Sequence, residues 1–242
     1  MASNEDDLAG TGMLSRRAFV VGLPLVVAAC QSTGVSTNTA ASLTGASHPP
    51  LPGDDFDYAA AYAARTDYDF KVPAIPYKNF DRKYWRQVVD YDGGQPSGTV
   101  VVDPYSKFLY LVLPGGKALR YGIGVGKAGF AWSGDAKIRV KRVWPLWRPP
   151  REMIARNPHL EKYWKDGYPR GPKNPLGARA LDLWQGSVDT LYRIHGTKQP
   201  SSIGRSVSSG CIRMWNQDVM DLFERVPTHT KVVVLSKAQK TS

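Results

Sequence analysis

Thr99-Val100-Val101-Val102, then Phe108-Leu109-Tyr110-Leu111-Val112-Leu113, then Leu119 through Val125, with Pro114-Gly115-Gly116 before the last block, is the run that decides the fold. β-Branched and aromatic residues in short blocks, broken by turn residues, read as strands, and the Pro-Gly-Gly break reads as a hairpin. Toward the C-terminus, Ile138 to Trp144, Leu191 to His195 and Val232 to Leu235 read as further strands. One helix is expected late. Asn216 would cap it, Asp218 lies in its first turn, Arg225 in its last, and Val219, Leu222, Phe223 and Val226 form one apolar face. The result is a mainly β, mostly antiparallel domain with one packed C-terminal helix. The proline-, glycine- and aromatic-rich stretch from Trp144 to Pro175 is a long insertion with a short helix near Glu152 to Arg156, and insertions of that length often line a site.

Toward the N-terminus the composition changes twice. Residues 56–96 are rich in tyrosine, and the spacing of Phe80, Tyr84, Trp85 and Val88 suits a short helix; so many aromatic residues are expected to brace the main domain. Residues 30–55 are mostly small and polar and read as a flexible tether. In residues 1–29, Arg16 and Arg17 precede an apolar run from Phe19 to Ala29 that is too short for a permanent membrane span. The arginine pair resembles a twin-arginine export signal, and Val27-Ala28-Ala29-Cys30 resembles a lipobox. The expectation is export to the periplasm and a membrane anchor through a lipid on Cys30, with the main domain over residues 97–237.

Composition narrows the classes. The 242 residues carry a net charge of +11, with 42% hydrophobic residues and two cysteines, which excludes collagen, coiled-coil, disulfide-stapled and fully disordered chains. Removing residues 1–29 deletes three acidic and two basic residues, so the remainder is more basic still. For an exported chain that charge points to anionic wall polymers and lipid headgroups, and nucleic acid is not an expected partner.

The chemistry concentrates late. His195 ends an apolar strand, and a Gly/Ser-rich loop then leads to Ser208-Ser209-Gly210-Cys211. A strand-end base and a loop-borne thiol can meet, and the N–H groups of Gly210 and Cys211 are the natural donors to a developing oxyanion. On composition alone, an inert buried Cys211 and a core His195 is the blander alternative. No metal and no cofactor is expected, because His159, His195 and His229 show no ligand spacing and no Cys-x-x-Cys occurs.

Ile194-His195-Gly196-Thr197 and Ser208-Ser209-Gly210-Cys211-Ile212-Arg213-Met214, followed by Asn216 and Asp218, resemble the L,D-transpeptidase catalytic domain family (YkuD; ErfK/YbiS/YcfS/YnhG). The likeness extends weakly through Gly98 to Tyr110 and Asn174 to Ala178. The family's usual signature is Ser-His-Gly-Cys, and here Ser209 stands in place of that histidine. The resemblance implies a β-sandwich or distorted barrel and acyl transfer on peptidoglycan stem peptides. In it Cys211 is the nucleophile, His195 the general base, and Gly210, Ser209, Gly196 and Arg213 oxyanion and substrate-binding groups. It also implies that a carbapenem acylates Cys211. Trp132, Tyr163 and Trp164 are candidates to line the donor cleft. The acceptor is left open among another stem peptide, a lysine of an outer-membrane protein, a free D-amino acid and water; water would make the protein a carboxypeptidase. A noncatalytic wall-binding lipoprotein is the distant alternative.

Overall fold

The computed structural model describes residues 48–207 and 211–239, so the expected export signal, Cys30 and most of the tether lie outside the described residues, as do Ser208, Ser209 and Gly210. Residues 46–242 form one compact unit. It opens with helix α1 (Tyr58–Ala61) and a small hairpin, β1 (Arg65–Asp67) with β2 (Phe70–Val72). An 11-stranded sheet follows, built from β3 (Gln87–Asp90), β4 (Val100–Asp103), β5 (Phe108–Leu113), β6 (Lys117–Gly122), β7 (Gly124–Gly126), β8 (Gly134–Val143), β9 (Arg179–Gln185), β10 (Val188–His195), β11 (Ser206–Val207), β12 (Ile212–Arg213) and β13 (Lys231–Val234). Helix α2 (Arg151–Arg156) lies in the insertion, and helix α3 (Asn216–Arg225) follows β12.

Strand order is β11-β7-β12-β10-β9-β8-β13-β4-β5-β6-β3, with parallel pairs only at β10–β12, β11–β7 and β13–β4 among the described residues. Val100, Leu109, Leu119, Ile138, Leu181, Ile194, Ile212 and Val232, from eight strands, join Val219 and Leu222 of α3 in one buried cluster. The sheet therefore curls around a shared core, the sandwich-like arrangement a single sheet adopts to bury one face. Alternation puts Val101, Tyr110 and Val233 into a second cluster on the other face.

The expected hairpin is β5–β6, with Gly115 and Gly116 both at positive φ in its turn. Three expectations change. Leu119 to Val125 is two strands: β6 pairs with β5, whereas β7 crosses to β12 and β11, and the break falls at Ile123 between Gly122 and Gly124, where an added Cβ would strike Tyr84 and Ser202. The helix suggested by Phe80, Tyr84, Trp85 and Val88 is replaced by two 3-10 turns and β3, because edge pairing with β6 satisfies the backbone from Gln87 onward. Asn216 is the first residue of α3 and not its cap: its Oδ1 accepts from the Ala178 N–H at 3.0 Å and its Nδ2 donates to the Thr197 carbonyl at 3.2 Å.

The tyrosine-rich segment packs on the domain through Tyr62, Ile75, Trp85 and Phe80 around the fully buried Trp215. Arg86 closes that contact. Its Nη1 lies 2.6 Å from Asp221 Oδ1 and its Nε 3.8 Å from Asp218 Oδ1, both on α3, while Arg225 and the Tyr121 hydroxyl also donate to Asp221.

Candidate active site

The two pieces that carry the site are adjacent strands. β12 runs parallel to β10 with Ile194 opposite Ile212 and His195 opposite Arg213. Ile194 and Ile212 are fully buried in the core, so alternation sends Arg193, His195, Cys211 and Arg213 to the other face. All four line one cavity of about 1180 Å³. Main-chain bonds fix the frame: the Met214 N–H donates to the His195 carbonyl at 2.8 Å, and the Gly126 N–H to the Cys211 carbonyl at 3.0 Å.

His195 is almost wholly buried, and its Nδ1 lies 2.6 Å from the Gly196 carbonyl oxygen. A carbonyl only accepts, so Nδ1 carries the proton, and in a neutral ring Nε2 keeps its lone pair. Burial brings the imidazole pKa down to about 4; the Gly196 contact opposes this, and the charges of Arg213 and Arg193 reinforce it. His195 is therefore a neutral base at pH 7. Gly196 sits directly behind it, and a Cβ there would overlap Asn216 Oδ1, so the close approach of this turn to α3 needs glycine.

Cys211 is half-buried, and its Sγ donates to the Leu191 carbonyl at 3.6 Å. Burial pushes the thiol pKa up, while the main-chain N–H and positive charge of Arg193 pull it down. Among the described residues no hydrogen bond joins Sγ to His195, so the resting pair is a neutral thiol and a neutral imidazole. Such a pair requires proton removal to accompany attack.

Leu191 is unusual. It is a non-glycine residue at φ +60, which costs about 1–2 kcal/mol, and it is 74% exposed. It sits where the β9–β10 register shifts between Asp189 and Arg193, a bulge that turns its carbonyl onto Cys211. Arg193 is clamped there by Asp189, whose two oxygens each accept at 2.7 Å, and its Nε pairs with Asp182 Oδ1 at 2.9 Å. Neither Arg193 nor its carboxylates were singled out from sequence; the signal was the two-residue spacing that puts Arg193 on the same strand face as His195.

Arg213 lines the cavity with its Nη1 3.2 Å from Gln199 Oε1. Of the three aromatic candidates, Trp164 lines the cavity with Arg151 stacked on its ring at 3.5 Å. Trp132 packs on Tyr192, and Tyr163 on Tyr168. The insertion contributes much of the remaining wall, including Trp147, Arg148, Arg156 and Arg170, and Lys198 lines it too. Glu152 and Asp182 are the acidic lining residues, so the cavity is strongly electropositive.

The family model described as the L,D-transpeptidase catalytic domain, YkuD, matches residues 97–234. The chain is similar to the probable L,D-transpeptidase YbiS of Escherichia coli (strain K12), at 35% identity over 124 residues covering 50% of this chain and 38% of that protein. It is also similar to the probable L,D-transpeptidase ErfK/SrfK of the same strain, at 32% identity over 148 residues covering 58% of this chain and 45% of that protein. The chain thus spans less than half the length of these curated relatives. Among solved structures, a probable carnitine operon oxidoreductase from Brucella melitensis is 50% identical, with a TM-score of 0.46 over 66% of this chain and 99% of that chain.

Proposed function

The chain belongs to the L,D-transpeptidase catalytic domain family, and from that premise we propose that it transfers the acyl group of a peptidoglycan tetrapeptide to an amine through a thioester on Cys211. The observation that carries this reading is the shared cavity wall of Cys211 and His195, with His195 kept neutral by burial and its tautomer set by its bond to Gly196. Sγ attacks the carbonyl at the L-centre of the diamino acid while the thiol proton passes to His195 Nε2. Collapse of the tetrahedral species expels the terminal D-alanine, which takes that proton, and leaves the thioester. An acceptor amine then attacks the thioester, gives its proton to His195, and the thiol is restored. Gly210 and Cys211 N–H groups are the proposed oxyanion donors. The excess of cations along the cavity, Arg213 among them, suits a donor that carries free carboxylates.

Transfer wins over hydrolysis only if the amine is held beside the thioester. A positioned group gains an effective molarity of up to ~10⁵ M, far above the roughly 55 M of water. The wall formed by the insertion supports such holding, and a stem peptide, a lysine of an outer-membrane protein and a D-amino acid are the acceptors it would serve. The same reading has the chain exported and anchored by a lipid on Cys30, on the strength of the Val27–Cys30 motif; fatty-acid label on the wild type that disappears in Cys30→Ala is the expected result. Incubation with a defined tetrapeptide and millimolar (~1 mM) amine, read by mass, tests the reaction. Cross-linked or amine-exchanged product is expected, and tripeptide alone would make the protein a carboxypeptidase.

A further inference from the structure

The bulge in β10 is held more firmly than a register shift requires. Thr190 Oγ1 donates to the Leu183 carbonyl at 2.6 Å and accepts from the Tyr192 N–H at 3.2 Å. Asp189 Oδ1 accepts from the Leu191 N–H at 2.9 Å and, with Oδ2, grips the Arg193 fork. Asp182 holds the third nitrogen of that guanidinium and is itself paired with Arg142 at 2.8 Å. All of this fixes two groups beside Cys211: the Leu191 carbonyl, which can only accept and so holds the S–H form, and the Arg193 guanidinium, which stands on the same cavity wall as the thiol.

We infer that Arg193, locked by Asp182 and Asp189 on the cavity wall it shares with Cys211, is a positioning residue for Cys211: its guanidinium favours the thiolate, while the Leu191 carbonyl parks the thiol between turnovers. The inference rests on Cys211 being the nucleophile. The charged and titratable groups around the thiol are Arg193 and Tyr192 from β10, with His195 and Arg213 on the same wall; Asp182 from β9 and Asp189 act through Arg193.

The test is the pH dependence of Cys211 alkylation by iodoacetamide, in which an S–C bond forms, iodide leaves and the thiol proton passes to buffer. It is read by intact mass on full-length protein whose fold is checked by near-UV circular dichroism. Arg193→Gln is expected to move the midpoint up by about one pH unit and slow alkylation at pH 7 about tenfold. Arg193→Lys, which keeps the charge, stays within about threefold of wild type. Asp189→Asn keeps an oxygen for the Arg193 fork while Asp182 still holds Nε, so the guanidinium stays in place with one negative charge fewer against it and the midpoint moves down. A purely structural clamp would lower thermal stability and leave the midpoint in place. Midpoints unmoved in folded Arg193→Gln and Asp189→Asn, or moved in the same direction by both, overturn the inference; if Arg193→Gln does not fold, an Asp189→Asn midpoint at or above that of wild type does so. Tetrapeptide turnover by Cys211→Ala, measured beside wild type, separately reports whether Cys211 is the nucleophile, so the two failures are distinguishable.

Discussion

Arg86 and Arg193 are each held by two carboxylates, but one lies between packed elements away from the thiol and the other stands on the wall of the cavity that the thiol lines. The Arg86 side chain is 6% exposed and lies between the tyrosine-rich segment and α3, with Asp218 and Asp221 as partners. The Arg193 side chain is 20% exposed and faces the same cavity as the thiol, with Asp182 and Asp189 as partners. The first cluster has nothing reactive beside it, so its energy goes into holding the N-terminal segment to the domain. The second adjoins a group whose ionisation it can alter. Similar ion-pair chemistry is structural in one place and chemical in the other, and the difference is set by what shares the surroundings.

The largest effect that would break this comparison is on stability. Arg86→Met leaves Asp218 buried without its cation and Asp221 with Arg225 alone, and is expected to cost about 3–5 kcal/mol in urea unfolding, with the thiol alkylation midpoint unchanged. A loss under about 1 kcal/mol would mean that the segment is not held by this cluster.

At the cavity the next largest effect is on rate. His195→Ala should slow tetrapeptide turnover by about 10²-fold or more, whereas His159→Ala and His229→Ala should leave it near wild type. Because the imidazole pKa lies at about 4, the wild type should keep its base down to roughly pH 5 and lose activity as pH falls through 4. An acid limb centred near pH 6.5 would contradict the buried, neutral imidazole.

The smallest effect sharpens the contrast through pH. Burial raises the Asp218 pKa to about 7, above the unfolded value of about 3.9, so the folded state binds the extra proton in between. Its contribution to stability is therefore present at low pH and is lost as pH rises from about 4 to 7. Urea midpoints of wild type should fall relative to Asp218→Asn over that window, and parallel curves would remove Asp218 as a buried acid. Asp221, held low by Arg225 and Arg86 despite burial, acts in the opposite sense and loses its contribution as pH falls.

The hairpin, the apolar face of α3 and the placing of His195 and Cys211 on one cavity wall could be read from residues because each has a short-range signature: a turn, a period, a motif. β9 could not. Its sequence Arg179-Ala180-Leu181-Asp182-Leu183-Trp184-Gln185 has no β-branched residue, and it follows the Gly/Pro-rich insertion into which it merges. Missing β9 meant missing Asp182, and with it the clamp on Arg193. Asn216 misled for a related reason: its type and place suit a cap, yet Ala178 and Thr197 claim its side chain from across the fold.

The most direct measurement is a rapid-quench intact mass of the protein mixed with a defined tetrapeptide, followed by mapping of the modified peptide. The account predicts an added tripeptidyl mass on Cys211 with release of one D-alanine, and no adduct and no product in Cys211→Ala. Product formation by Cys211→Ala at the wild-type rate, or an adduct on any other residue, would contradict it.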